Sequence, residues 1–309
     1  MNYIFIINTA AGNGKYQAAY LEEKIHTAAA ELGISDNVSC YFTTRVGDAI
    51  EYTRALDTRG EPLAVIACGG DGTFREVVNG AMQNENRSDI SVGVLPCGTG
   101  NDFVKAFTPD GIFLDIKAQL EGSSELIDVI AIDGEYCINL ANMGFDANIA
   151  NNMQKYKKTF GKFSYNVAVI RELFAKSRFP MSIELDGEET VEGDFILLSI
   201  ANGMAYGGGY YAAPLSSMKD GILDVCYCDM ISKLKLITVI GQYKAGNHFS
   251  GKYDSFIHRK TAKHIKIKFG RPTLVSQDGE ITERNSLDIS VIPSALKLLL
   301  PRGCAFKNK

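Results

Sequence analysis

The stretch Leu63-Ala64-Val65-Ile66-Ala67-Cys68-Gly69-Gly70-Asp71-Gly72-Thr73 decides the fold class of the first part of this 309-residue chain. Its first five residues are all apolar, which is typical of a strand that is buried on both faces of a parallel sheet. The glycines end the strand, and Phe74, Val77 and Val78 then follow at the spacing of one apolar helix face. The stretch therefore predicts a strand, a tight turn and a helix, the repeating unit of an α/β domain.

The same alternation of strand and helix continues on both sides of this stretch. The other elements that it predicts are strands at 3–7, 38–42 and 91–95 and helices from 21 to 32 and from 48 to 56. Strands that alternate with helices form parallel sheets through right-handed crossovers. We therefore expect residues 1–125 to form an α/β domain with a Rossmann-like parallel sheet.

From residue 126 the apolar residues recur with a period of two, which is typical of strands in an antiparallel sheet. The predicted strands are 126–132, 136–141, 181–185, 195–201, 223–228, 264–269, 287–291 and 296–300, and the predicted helices are 161–176 and 232–243. Turn dipeptides separate several strands, namely Asp133-Gly134, Asp186-Gly187, Asp220-Gly221 and Asp278-Gly279. We expect an antiparallel β-sandwich domain over residues 126–293, and a tail at about 294–309 that could belong to either domain.

The composition is that of a folded globular protein, with 46% hydrophobic residues and a net charge of −4. This charge gives no support for nucleic-acid binding by the molecule as a whole. Residues 1–7 lack the positive region of a signal peptide, and no apolar run is long enough for a transmembrane helix. The seven cysteines are scattered, which indicates reduced thiols in a cytoplasmic protein. Neither the cysteines nor the four histidines show metal-ligand spacing, so we expect no transition-metal site.

Three glycine-containing turns, Asn8–Gly14, Gly69–Thr73 and Gly98–Asn101, each follow a predicted strand of the first domain. Because ligands of open parallel sheets bind at the carboxyl ends of the strands, we expect these turns to lie along one edge. Glycines let backbone amides approach an anion, so the turns suit a nucleotide phosphate chain. Each turn alone is also compatible with a plain strand-to-helix connection, and Gly12-Asn13-Gly14-Lys15 followed by Tyr16 is not a Walker A sequence.

Asp71 is the unusual residue of these turns, because a carboxylate would repel a bare polyphosphate unless a cation bridges the two. With this residue the chain resembles bacterial diacylglycerol kinase-like lipid kinases, which share a catalytic domain with eukaryotic diacylglycerol and sphingoid-base kinases and, more distantly, with NAD kinases. The matching motifs are Gly69-Gly70-Asp71-Gly72-Thr73 with Glu76-Val77-Val78-Asn79-Gly80, Leu95-Pro96-Cys97-Gly98-Thr99-Gly100-Asn101-Asp102-Phe103, Asn139-Leu140-Ala141-Asn142-Met143-Gly144-Phe145-Asp146, Ala201-Asn202-Gly203 with Tyr206-Gly207-Gly208-Gly209, Asp220-Gly221-Ile222-Leu223-Asp224, and Gln277-Asp278-Gly279-Glu280. They span almost the whole chain.

The resemblance implies phosphorylation of the hydroxyl of diacylglycerol to give phosphatidic acid, with ATP as co-substrate and Mg²⁺ as cofactor, in a cleft between two domains. It implies an ATP site formed by Asn8, Thr9, Ala10, Ala11, Gly12, Thr43, Gly69, Gly70, Asp71, Gly72, Thr73, Glu76 and Thr99. In this site Asp71 would hold the nucleotide and magnesium. Thr9 stands where the family usually has proline, which loosens the turn but removes no ligand atom.

The acidic turn Asp278-Gly279-Glu280 has two interpretations. Its pattern alone favours a type I′ hairpin turn and nothing more. The resemblance implies instead that one of the two carboxylates accepts the proton of the lipid hydroxyl, and it does not separate Asp278 from Glu280. It also implies a second magnesium site, remote from the reaction, at the Asp220 carboxylate and the backbone carbonyls of Ser217 and Ile222.

Two basic stretches are candidates for contact with a membrane surface, where each cation contributes about 1 kcal/mol of binding. The first is Lys155–Phe163, in which Lys157, Lys158 and Lys162 alternate with aromatic residues. The second comprises Lys252, Arg259, Lys260, Lys263, Lys266, Lys268 and Arg271. Both are also compatible with solvated surface. We expect a cytoplasmic protein that is peripheral at the inner membrane face.

Three alternatives remain open from the sequence. The acceptor could be another lipid alcohol, such as a sphingoid base, another glycerolipid or a prenol, because the motifs describe phosphate handling rather than the lipid tail. An NAD kinase-like activity fits the context of Asn101-Asp102-Phe103 less well. A nucleotide-binding regulator without turnover is disfavoured by the intact Asp71, Asp278 and Glu280. Whether the chain forms a homodimer is also open.

Overall fold

The computed structural model describes residues 1–11, 18–160, 167–169, 171–172, 175 and 178–307, without the side chains of residues 154, 157, 158, 160 and 233. The chain forms two compact units. The first contains residues 1–129 and 293–309, and the second contains residues 130–292. No helix among the described residues is long and apolar enough to cross a membrane.

Five strands of the first unit form a parallel sheet. Its strands are β1 (Asn2–Asn8), β2 (Val38–Thr43), β3 (Leu63–Gly69), β4 (Ile90–Pro96) and the carboxyl-terminal part of β14 (Glu280–Leu300), in the order β2-β1-β3-β4-β14. Every residue of β3 and β4 is buried, as the continuous apolar run of β3 predicts for a strand with both faces covered. The two-residue strands β5 (Phe107–Thr108) and β15 (Ala305–Phe306) form a separate pair.

The helices of the first unit are α1 (Ala18–Glu31), α2 (Asp48–Arg54), α3 (Asp71–Met82) and α4 (Ile116–Leu120). The predicted apolar face of α1 is confirmed, because Leu21, Ile25 and Ala28 are buried against the sheet core. Gly33 follows the helix in the left-handed conformation (φ +70°) that glycine favours at helix ends. In α3 the predicted core residues Phe74, Val77 and Val78 are likewise buried.

The second unit is built on an antiparallel sheet. Its strands are β6 (Ser123–Ile132), which begins in the first unit, β7 (Glu135–Cys137), β8 (Leu140–Gly144), β9 (Phe179–Leu185), β10 (Glu189–Ala201), β11 (Leu223–Asp229), β12 (Ile257–Ala262), β13 (His264–Gln277) and the start of β14. The order is β12-β11-β10-β8-β13-β14, and β9 pairs with both β10 and β13. Helices α5 (Phe145–Phe160) and α6 (Lys233–Ala245) pack on this unit.

Several predicted elements differ from the observed ones. The predicted strand 136–141 is broken into β7 and β8, because the backbone N–H groups of residues 138–140 turn to a carboxylate described below. The predicted strands 287–291 and 296–300 are one strand, β14, in which Ser294 adopts φ +49°. The charged strand β12 and the helix α5 were not predicted, and most of the predicted helix 161–176 lies outside the described residues.

The Asp-Gly dipeptides differ in conformation. At Asp133-Gly134, Asp186-Gly187 and Asp278-Gly279 both residues have positive φ, as a type I′ turn requires. At Asp220-Gly221 only the glycine does (φ +71°), so this dipeptide adopts a different conformation from the other three.

Candidate functional site

The three predicted phosphate-binding turns come together at the carboxyl ends of β1, β3 and β4. The Asn8 side chain donates a hydrogen bond to the Thr73 hydroxyl over 2.8 Å. The turn after β4 packs backbone to backbone on the turn after β3, since a Cβ atom on Gly98 would lie 2.4 Å from the Gly70 Cα. The described parts of the three turns therefore occupy one sheet edge, as the parallel order predicts.

The Gly69–Thr73 turn is tight for a local reason. A Cβ atom on Gly69 would lie 2.3 Å from the Thr73 hydroxyl oxygen, so any larger residue would displace the start of α3. Gly70 has extended backbone, and Asp71 is the first residue of the helix. Helix N-termini direct backbone N–H groups and a partial positive charge outward, which favours anions such as phosphate.

Asp71 is held by the turn that follows β4. Its Oδ1 atom accepts hydrogen bonds from the backbone N–H groups of Asp102 (2.8 Å) and Phe103 (3.3 Å). Lys105 donates to the Gly100 carbonyl over 3.0 Å and also pairs with the Asp102 carboxylate. Two carboxylates and one ammonium group therefore meet at these turns.

Asn101, Asp102 and Lys105 were not predicted as site residues. Asn101 adopts φ +51°, and its side chain bonds both the N–H group (3.1 Å) and the carbonyl (2.9 Å) of Gly98. It thereby shapes the turn that supports Asp71. The signal was present in the sequence as the motif Asn101-Asp102-Phe103, but the motif alone does not show which side chains face Asp71.

The remaining predicted nucleotide contacts are distributed along the same edge. The Thr9 hydroxyl donates to the Thr43 carbonyl over 3.3 Å, and the Ala10 N–H group donates to Asn8 Oδ1 over 2.9 Å. Thr9, Ala10, Gly72 and Thr99 are exposed, Ala11 is half-buried and Thr43 is buried. Gly12 and Lys15 lie outside the described residues.

Glu76 has a structural contact in addition to its predicted role. Its Oε1 atom accepts a hydrogen bond from the backbone N–H group of Gly47 over 3.0 Å, immediately before the first residue of α2. The carboxylate thus joins α2 to α3. A substitution at Glu76 would therefore disturb helix packing as well as any ligand contact.

The structure distinguishes the two acidic residues of the β13–β14 turn. Asp278 Oδ1 accepts from the N–H groups of Asn139 (3.1 Å) and Leu140 (3.0 Å), and Oδ2 accepts from Ile138 (2.8 Å). Burial raises the pKa of the Asp278 carboxyl, and these amide hydrogen bonds oppose the increase. Both oxygens are therefore engaged with backbone. Glu280, the first residue of β14, is exposed.

Two other Asp-Gly turns have an arrangement similar to that of Asp278. Asp186, with φ +53°, accepts hydrogen bonds from the backbone N–H groups of Lys263 (2.9 Å) and His264 (2.8 Å). Asp133, with φ +49°, accepts one from Asp288 over 3.1 Å. In all three turns the aspartate carboxylate fixes the backbone of another segment. Asp278 is the most extensively bonded of the three.

A polar row accompanies Glu280 on one face of the hairpin. The register places Gln277 opposite Glu280 and Val275 opposite Thr282, so these side chains share a face. Gln277 is 2% exposed, and among the described residues neither atom of its carboxamide has a hydrogen-bond partner. The Thr282 hydroxyl is also buried without a described partner. Sequence reasoning did not identify this row.

An apolar pocket lies within the second unit between α5, α6 and the strands β10 and β11. The volume of the pocket that is open to a water-sized molecule is about 30 Å³. The residues that line it are mostly apolar: Phe145, Ile149, Leu197, Tyr210, Cys226, Tyr227, Cys228, Leu236, Val239, Ile240, Tyr243, His248 and Ile257, with Asp146 as the single carboxylate among them. This lining suits an apolar group better than a polar one.

Asp146 forms the polar wall of this pocket. Its carboxylate accepts hydrogen bonds from the hydroxyl groups of Tyr243 (3.3 Å) and Tyr206. Burial raises the pKa of Asp146 to about 6, against the opposing effect of the two hydroxyl groups. Burial also lowers the pKa of His248 to about 4, so the histidine is neutral near pH 7.

Helix α6 covers the pocket with one face and presents apolar residues on another. Val239 and Tyr243 are buried toward the pocket, whereas Leu234 is 80% exposed and Ile237 is 53% exposed. The Ser232 hydroxyl caps the helix by accepting from the Lys235 N–H group. Leu234 and Ile237 are three residues apart, so they form a small exposed apolar surface on the outer side of the helix.

The predicted basic stretches are only partly available for such contact. The side chains of Lys157 and Lys158, and the whole of Lys162, lie outside the described residues. In the second stretch Lys260 pairs with Glu189 over 2.6 Å, and Arg259 pairs with Asp224. These ion pairs reduce the net positive charge of that face.

The predicted remote magnesium site is a loop with oxygen donors. Asp220 is exposed, and its Oδ1 atom accepts from the N–H group of Ile222 over 3.3 Å. The Ser217 hydroxyl accepts from Lys219 over 3.3 Å. The Asp220 carboxylate and the backbone carbonyls of Ser217 and Ile222 are oxygen donors, the ligand type that magnesium prefers, and the second magnesium site stays a prediction.

Two family models match the chain in succession. The diacylglycerol kinase catalytic domain matches residues 2–132, and the YegS C-terminal NAD kinase beta sandwich-like domain matches residues 139–300. A protein of Pseudomonas aeruginosa named probable lipid kinase YegS-like is 30% identical over 305 residues, covering 95% of this chain and 92% of that protein. A diacylglycerol kinase of Mycobacterium tuberculosis is 30% identical over 247 residues, covering 77% of each. The crystal structure of a diacylglycerol kinase from Bacillus anthracis has a similar fold, with a TM-score of 0.77 at 23% identity over 96% of each chain.

Proposed function

Because the chain belongs to the diacylglycerol kinase-like lipid kinase family, whose members are phosphotransferases with an alcohol acceptor, we propose that it phosphorylates the hydroxyl of diacylglycerol to give phosphatidic acid. ATP is the co-substrate of kinases, and Mg²⁺ is proposed as the cofactor. The observation that carries the proposal is the meeting of three strand ends around Asp71.

The phosphate chain of ATP is proposed to bind along the turns at Asn8, Gly69–Thr73 and Thr99. The N-terminus of α3 supplies backbone N–H groups and a partial positive charge there. Gly70 and Gly98 let the two turns approach each other without a side chain between them. A phosphate can therefore approach the backbone closely.

Asp71 and Asp102 are proposed to hold Mg²⁺, since carboxylate oxygens are the ligands that this ion prefers. Their chemistry fits the ion, because two carboxylates together with the phosphates of a nucleotide bring more negative charge to this edge than Lys105 alone offsets. When bound, the ion neutralises charge on the transferring phosphoryl group. The surrounding residues hold these two carboxylates in place. The N–H groups of Asp102 and Phe103 fix Asp71, and Lys105 restrains Asp102.

Glu280 is proposed as the general base that accepts the proton of the lipid hydroxyl. The support is that Asp278 is engaged by three backbone N–H groups, whereas Glu280 is exposed at the start of β14. A base must reach the hydroxyl, and a carboxylate fixed by backbone amides on both oxygens is poorly placed to do so. Asp278 is proposed to hold the turn that presents Glu280.

The acceptor is proposed to bind on the second unit. An acyl chain is proposed to enter the apolar pocket under α6, which would widen by movement of its side chains. The polar backbone of the lipid is proposed to bind beside Glu280, where Gln277 and Thr282 hold buried polar atoms without a described partner. The exposed Leu234 and Ile237 of α6 are proposed to enter the lipid surface, which would bring the pocket to its substrate.

The test is a transfer assay with the full chain, radiolabelled ATP, Mg²⁺ and mixed micelles. Parallel reactions contain diacylglycerol, a sphingoid base, a monoacylglycerol or a prenol as the acceptor. We expect labelled phosphatidic acid to be the main product and the label to disappear when Mg²⁺ is chelated. Label on a different lipid would replace the proposed acceptor, and no labelled lipid in any reaction would refute the proposal.

A further inference from the structure

Three metal-ligating side chains meet in the first unit, away from the turns described above in sequence. Glu22, His26 and Cys40 each offer one ligand atom, and these atoms lie within 4.8 Å of one another. Glu22 and His26 are four residues apart in α1, so they leave the same helix face one turn apart. Cys40 lies in the middle of β2 and packs against the apolar cluster that α1 covers. The group therefore forms where α1 packs on β2.

The three ligand types belong to one class of metal. A thiolate, an imidazole and a carboxylate are the ligands that Zn²⁺ takes, at about 2.3, 2.0 and 2.1 Å. In a tetrahedral site with these bond lengths the ligand atoms lie roughly 3.3–3.6 Å apart. Side-chain rotations that bring the three ligand atoms roughly 1 Å closer to one another would therefore produce the site. Magnesium and calcium prefer oxygen ligands, so they fit poorly.

Cys40 is a free cysteine, so its sulfur atom can serve as a ligand. The thiolate is the form that binds a metal, and metal binding releases the thiol proton. A divalent cation is a chemistry that uses all three side chains together.

We propose that Glu22, His26 and Cys40 bind one Zn²⁺ ion, with water as the fourth ligand. His26 is exposed and Glu22 and Cys40 are half-buried, so solvent can reach the site. The ion would join α1 to β2, which is the terminal strand in the order of the first unit's sheet. Zinc bound here would stabilise the folded first unit, because a ligand that binds only the native state raises its stability.

The site is tested with Co²⁺, which replaces Zn²⁺ and reports its ligands by absorbance. Co²⁺ is titrated into the full chain after chelation and reduction, and Zn²⁺ is then added as a competitor. We expect a thiolate-to-cobalt charge-transfer band together with the d–d bands of a tetrahedral ion, and loss of both on addition of Zn²⁺. A spectrum without the charge-transfer band in the wild-type protein would overturn the proposal.

Variants identify the ligands. Cys40→Ser is expected to remove the charge-transfer band, and His26→Ala and Glu22→Gln are expected to weaken Zn²⁺ binding about tenfold or more. His26 is exposed, so His26→Ala should fold even if Cys40→Ser does not. Cys304→Ser, at another half-buried free cysteine, is the matched control and should bind as the wild type does. Unchanged cobalt spectra in both His26→Ala and Glu22→Gln would refute the site. These measurements need no lipid kinase activity, so they stand apart from the proposed function.

Discussion

The backbone N–H group of Asp102 donates a hydrogen bond to the Asp71 carboxylate over 2.8 Å, which joins the turn after β4 to the first residue of α3. The same carboxylate oxygen accepts from Phe103 over 3.3 Å. Asp71 is therefore fixed in orientation before any ligand arrives. Fixed orientation is what a group needs to place a cation against a phosphate without reorganisation during the reaction.

Removal of the Asp71 charge should abolish most of the activity while the fold is retained. Asp71→Asn keeps an oxygen that can accept from Asp102, so the turn is preserved, but it loses the charge that would hold Mg²⁺. We expect kcat to fall by about 10²–10⁴-fold, measured by phosphate transfer at saturating ATP. Asp110→Asn, on the exposed surface of the same unit, is the control and should retain full activity. Equal activity of the two variants would exclude the role assigned to Asp71.

The two acidic residues of the β13–β14 turn should differ in what they affect. Glu280→Gln is expected to lower kcat by about 10²–10⁴-fold with an unchanged melting temperature, because it removes a base from an exposed position. Asp278→Asn is expected to lower the free energy of unfolding by about 1–3 kcal/mol, because its NH2 group cannot accept a hydrogen bond and leaves at least one of three backbone N–H groups without an acceptor. Thermal melts and transfer assays on both variants make the comparison.

Asp186→Asn provides a control for the Asp278 variant. Asp186 occupies a turn of the same conformation and fixes two backbone N–H groups. The Asp186→Asn variant should be less stable than the wild type and should have the same kcat. If Glu280→Gln were fully active and Asp278→Asn were folded but inactive, the proposed roles of the two residues would have to be exchanged.

Gln277 should contribute to activity at a cost in stability. Its carboxamide is buried without a described partner, and a polar group of this kind costs about 1–3 kcal/mol. Gln277→Leu should therefore raise the melting temperature, while loss of a contact with the lipid backbone should raise the KM for diacylglycerol and leave the KM for ATP unchanged. A variant with higher stability and unchanged KM for both substrates would show that Gln277 does not contact the lipid.

Asp146 should produce a measurable pH dependence of stability. Its pKa is about 6 in the folded protein and 3.8 in an unperturbed chain. Between these values the folded state holds a proton that the unfolded state has released. The contribution to stability is therefore complete below pH 3.8 and is lost as the pH rises through 6. Because Asp146 is half-buried, we expect a difference on the order of 1–3 kcal/mol.

The measurement compares the free energy of unfolding of the wild type and of Asp146→Asn in urea at several pH values. The variant cannot titrate at this position, so its stability should decline less than that of the wild type as the pH increases from 4 to 6. Parallel pH profiles of the two proteins would show that Asp146 titrates normally.

Helix α6 should mediate contact with the lipid surface. Leu234→Ser combined with Ile237→Ser removes exposed apolar area and should reduce binding to phosphatidylglycerol vesicles in a sedimentation assay, with little change in the melting temperature. Leu114→Ser, at a residue that is 48% exposed in the first unit, is the matched control. Charge reversal of Lys157, Lys158 and Lys162 tests the basic stretch separately. A loss of binding in the lysine variant that is larger at low salt than at high salt would favour the lysines, whereas a salt-independent loss in the α6 variant would favour the helix.

The order of elements in the first unit was accessible from the sequence, because it depends on local patterns. The apolar run of β3, the glycines that follow it and the spacing of Phe74, Val77 and Val78 each have a direct physical meaning. The same holds for the three I′ turns, since Asp-Gly favours positive φ at both positions. Asp220-Gly221 has positive φ only at the glycine, which the dipeptide alone does not reveal, and strand β12 was not predicted because its charged residues hide the period of two.

The sequence by itself determined that strand ends carrying glycines and Asp71 belong to one sheet edge, because parallel order follows from alternating strands and helices. Only the tertiary structure decided which carboxylate of the Asp278-Gly279-Glu280 turn remains accessible, because the N–H groups that engage Asp278 come from residues about 140 positions earlier. It also decided that Cys40 meets Glu22 and His26, which no spacing along the chain reveals. Periodicity encodes neighbours within one element, whereas a site that joins distant segments exists only once those segments pack.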